Sequence, residues 1–74
     1  MTQLTTIPKP DAEEFLSLLN HQHTLALDEG FKQGARLLAE EITWLEVAIS
    51  GAESGRVELN PDLVVRATDT GFLV

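Results

Sequence analysis

FKQGARLLAEEITWLEVAIS, running from Phe31 to Ser50, is the stretch on which the fold turns. Its apolar residues Phe31, Ala35, Leu38, Ile42, Leu45 and Ile49 fall at steps of four, three, four, three and four, which is a heptad seam. Twenty residues at 1.5 Å each make a helix roughly 30 Å long. Ser50-Gly51 is a suitable stop. Beside the seam lies a second stripe of Leu37, Trp44 and Ala48, with Val47 next to them. The helix is therefore apolar on two flanks, more than one neighbouring helix covers. Gly34 sits inside it at a cost of about 1 kcal/mol relative to alanine and offers a place of close approach.

Upstream, Asp11 reads as an N-cap with Glu14 three residues on, a capping-box pattern that starts a first helix. In it Phe15, Leu19, Gln22 and Ala26 form one stripe, with Leu16, His23 and Leu27 beside it. Gly30 is the natural terminator. Asp28 and Glu29 oppose the dipole of a helix that ends there, so they also fit the first turn of the next one. The rival reading is one long bent helix over residues 12–50, because no proline interrupts them. Residues 1–10, with three threonines and two prolines, show no periodicity and read as a flexible or extended N-terminal arm; residues 11–74 form a single domain.

Downstream, residues 51–55 have loop composition, and Arg56-Val57-Glu58-Leu59 alternates as a short strand does. Asn60 fits an N-cap, Pro61 the first helical position and Asp62 the favourable end of the dipole. Leu59 and Val64 are spaced as a hydrophobic staple. These signals predict a short third helix from Pro61 to about Thr68. The β-branched Val64, Val65 and Thr68 favour a rival hairpin pairing residues 63–67 with 72–74. Phe72-Leu73-Val74 should be covered by the helices or by a second subunit. The fold class is thus mainly α: a helical hairpin of two long helices plus a short C-terminal element.

A chain of 74 residues buries only about 60% of its unfolded surface, and without cysteines neither disulfides nor a Cys-based zinc site can brace it. Oligomerisation is the remaining common remedy, so two hairpins are expected to associate as a homodimer, a four-helix bundle. The interface residues singled out are Phe31, Leu37, Leu38, Ile42, Trp44, Leu45, Ala48 and Ile49, with Trp44 as anchor, since tryptophan dominates many interfaces.

Chemistry is harder to find. His21 and His23 stand two apart, which on a helix points them away from each other, so no metal site is expected. Adjacent acidic pairs, Glu13-Glu14 and Glu40-Glu41, read as solvated faces, because neighbours on a helix do not converge for acid–base work. Lys32 and Arg36, flanked by Asp28 and Glu40, read as a surface ion-pair ladder. Neither a nucleophile elbow nor a phosphate-binding glycine loop is present. No catalysis and no cofactor are expected.

The net charge of −7 repels nucleic acid backbones and anionic membranes. No apolar run is long enough to span a bilayer, and the first residues lack the features of a secretory signal, so a cytoplasmic location is expected. The function expected is that of a small acidic protein-binding regulator (inhibitor, anti-activator or chaperone-like) acting through an apolar helix face. Two alternatives are an acidic nucleic-acid mimic occupying the basic cleft of another protein and a structural subunit of an assembly.

Overall fold

The computed structural model describes residues 5–52 and 54–73. Five elements follow in order: β1 (Thr5–Pro8), α1 (Lys9–Asp28), α2 (Lys32–Ser50), β2 (Arg56–Leu59) and α3 (Pro61–Asp69). The two long helices pack against each other as a hairpin, with the third helix short and C-terminal, which is the predicted mainly helical architecture.

The break between α1 and α2 follows from Gly30. At φ +80° it occupies the left-handed region that glycine enters without a Cβ clash. The Gly30 amide donates to the Leu27 carbonyl and the Phe31 amide to the Ala26 carbonyl, so the last turn is capped by backbone alone. One continuous helix over residues 12–50 is thereby ruled out. Asp28 closes α1 and Glu29 is its C-cap, so neither belongs to the next helix. Gly71 at φ +87° repeats the device at the end of α3, where the Phe72 amide donates to the Ala67 carbonyl.

The third helix starts as its signals predict. The Asn60 side chain accepts a hydrogen bond of 2.8 Å from the Leu63 amide. The rival C-terminal hairpin does not form among the described residues; Phe72 and Leu73 instead pack on the core, the Phe72 ring 5.3 Å from that of Phe15. Val74 lies outside the described residues.

The start of the first helix differs from expectation. Of the proposed arm, residues 1–4 lie outside the described part, but Thr5–Pro8 is a strand paired antiparallel with β2, Ile7 opposite Val57 and Thr5 opposite Leu59. α1 then starts at Lys9, two residues before Asp11, and its N-cap is Pro8 with no side-chain cap. The reason lies in the ladder. The Lys9 amide donates to the Gly55 carbonyl at 2.9 Å and Pro10 has no amide hydrogen, so two of the first turn's orphan donors need no carboxylate.

The core forms where the hairpin meets the sheet. Phe15 and Leu19 of α1, Leu38, Ile42 and Leu45 of α2, Ile7, Val57 and Leu59 of the strands, and Leu63 and Ala67 of α3 make one buried cluster. The heptad seam from Ala35 to Ile49 therefore faces the chain's own interior, while Phe31 at its start is exposed.

Candidate functional site

That placement splits the predicted interface. Leu38, Ile42 and Leu45 are buried inside the subunit and Ala48 and Ile49 pack half-buried against the core, so most of the seam is used within the chain itself. Leu37 and Trp44 are exposed on the other flank, and Phe31 is exposed at the distant turn beside Leu25 and Leu27. The predicted residues thus fall into three groups, and the Leu37–Trp44 flank forms one wall of a furrow.

The depth comes from α3. Asn60 and Pro61 start this helix beside α2, and the pairing of Glu41 with Arg66 holds the two together. Arg66 Nε donates to Glu41 Oε2 at 2.8 Å, and a second guanidinium nitrogen donates to Oε1 at 3.1 Å. Glu41 is only 8% exposed, so it is not the solvated acid that its pairing with Glu40 suggests. Hydrogen bonding to Glu41 raises the Arg66 pKa above its ordinary value against the opposing effect of burial, with the Glu41 and Asp69 charges adding to the rise.

Around this ion pair lies a furrow of about 370 Å3, lined by Leu37, Glu40, Glu41 and Trp44 from α2 and by Asp62, Val65, Arg66 and Asp69 from α3. Leu37 is 56% exposed, Trp44 38% and Val65 62%. On the far side of Trp44 a wider open groove of about 1090 Å3 runs between the end of α2 and the β2–α3 junction, past Val47, Ala48, Leu59, Pro61 and Val64. Trp44 is the ridge common to both. Val65 and the Arg66–Glu41 pair are the parts that sequence reasoning missed. Their signal was present in α3, where Asp62, Val65, Arg66 and Asp69 share one face at three- and four-residue spacing.

No protein-family model, curated protein or solved structure matches the chain.

Elsewhere the side chains stay apart. His21 is exposed and His23 half-buried on α1, and no group of three or more metal-ligating side chains comes together among the described residues. Glu13 and Glu14 are exposed. Among the described residues the ladder anticipated around Lys32 and Arg36 makes no ion pair within 4.0 Å; the pair found is Arg66–Glu41, between α3 and α2. Exposed long side chains gain too little from pairing in water to hold one geometry. No helix of the described chain is long and apolar enough to cross a membrane.

Proposed function

We propose that the chain is a small non-catalytic binding protein that regulates another protein by docking the Leu37–Trp44–Val65 face onto it. The observation that carries this reading is the exposure of one tryptophan and two large aliphatic side chains around a furrow with a fixed floor. Apolar residues scattered singly over a surface need no explanation, but an exposed tryptophan and two aliphatic side chains lining one furrow among charged side chains have the layout of a binding site. Occupation of that face by the target would block or hold a surface the target uses elsewhere, which is the action of an inhibitor, anti-activator or chaperone-like cap.

The second reading, an acidic mimic of nucleic acid, draws on the net charge of −7. The two respond differently to salt. Affinity capture from the native cell should be run with the wild-type chain and with a Leu37→Glu/Val65→Glu variant, at low and at high salt. A stoichiometric protein retained at high salt by the wild type and lost by the variant is the expected result. Retention by the variant, or loss from both chains as salt rises, overturns docking through this face.

A further inference from the structure

Resting on that docking face, we infer that its partner presents a basic amphipathic helix, with apolar side chains seated between α2 and α3 and lysine or arginine on its margins. The shape sets the first half of this. Leu37 and Trp44 stand two turns apart on α2, about 10 Å along its axis, and Val65 faces them from α3. Two helices side by side leave a furrow, and a third helix laid in it meets apolar anchors at i, i+3, i+4 and i+7. The charge sets the second half. Glu40, Asp62 and Asp69 are exposed along the furrow, while Arg66, its one cation, is already held by Glu41. The pair cancels, and the rim carries three more carboxylates that make no ion pair within 4.0 Å among the described residues. A second copy of this chain would bring an equally acidic rim into contact with the first, and like charges facing each other oppose association. A cationic margin on the partner answers each carboxylate and steers the encounter.

Trp44 is the sole tryptophan and lines both the furrow and the wider groove, so its emission reports on either, and the Leu37→Glu/Val65→Glu variant tells them apart. The probes are three synthetic helical peptides with the same leucine stripe and with lysine, glutamine or glutamate on the polar margins, titrated into the full chain. The lysine peptide should shift Trp44 emission to the blue and bind at least about tenfold more tightly than the glutamate peptide, about 1.4 kcal/mol. Leu37→Glu/Val65→Glu should weaken the lysine peptide about tenfold or more, although it makes the face more acidic, because the apolar anchors are lost. Glu40→Lys/Asp69→Lys should reverse the order of the lysine and glutamate peptides. Equal binding of all three peptides overturns the basic partner and leaves docking through this face standing. Binding of the lysine peptide that survives Leu37→Glu/Val65→Glu overturns the site itself. A blue shift that grows with protein concentration alone shows a second copy covering the face, and overturns the inference; so does the absence of any shift with the lysine peptide.

Discussion

Glu41 and Arg66 show what a single ion pair does when it lies between helices. A carboxylate 8% exposed is tolerable only because both of its oxygens accept from one guanidinium. Removing the arginine alone leaves the acid buried without a partner. Arg66→Met should therefore cost about 2 kcal/mol, a discounted figure because the Arg66 side chain is partly solvated. Glu41→Met/Arg66→Met, which removes both charges, should restore most of that loss, as urea denaturation of the wild type and the two variants would read. A double variant no more stable than Arg66→Met would mean that the pair does not hold α3. The pH dependence has a definite sign. A cation whose pKa is raised in the folded state stabilises fully below its unfolded value and loses that contribution only as pH rises through the folded one. For an arginine that window lies in strong alkali, so stability due to Arg66 should stay flat from neutral to mildly alkaline pH.

At the scale of the elements, Asn60 and Gly30 test why a helix begins or ends where it does, and Gly34 tests the interior of α2. Asn60→Ala removes the cap that accepts from the Leu63 amide and should cost about 1 kcal/mol. Gly30→Ala forces an alanine to φ +80°, a cost of about 1–2 kcal/mol despite open space around the added Cβ. Gly34→Ala should do the opposite. Gly34 is inside α2, and an added Cβ would meet the Phe31 Cβ at 3.9 Å, an ordinary contact, so the gain in helix propensity of about 1 kcal/mol is retained. Thermal unfolding of the three single variants would check these signs, and a stabilised Gly30→Ala would refute the left-handed stop. These same positions mark how far local chemistry could be read in advance. The periodicity from Phe31 to Ile49, the glycine stop at Gly30 and the Asn60-Pro61 start are short-range signals, and each element they imply is present. The start of α1 was misplaced because its caps come from Gly55, far away in sequence, and not from Asp11. The binding face was half legible for a related reason. Leu37 and Trp44 stand out on α2, but the seam's inward orientation and the Val65–Arg66 side of the furrow depend on where α3 packs.

For the molecule as a whole, the two-stranded sheet joins the chain's beginning to a segment about fifty residues later. Thr5-Thr6-Ile7 is β-branched, yet four residues ending in proline do not declare a strand without a partner, and the partner is set by the hairpin between them. Once paired, Ile7 is 2% exposed opposite Val57 and joins the buried core cluster. The sheet thus holds Arg56–Leu59 in the position from which Asn60 launches α3, and the furrow beside Trp44 depends on it. Ile7→Ala should cost about 2–4 kcal/mol, as for other buried aliphatic truncations. That is a large share of the roughly 4–11 kcal/mol expected for a domain of this length. Deleting residues 1–8 should do more: β2 loses its ladder partner, Val57 and Leu59 become wetted, and α3 loses its anchor. Circular dichroism should then show a large fall in the melting temperature, with Trp44 emission shifted to the red as the furrow opens. A deletion variant that melts at the wild-type temperature with unchanged emission would place α3 under the control of the helical hairpin alone, through Glu41, and would reduce the sheet to an attachment.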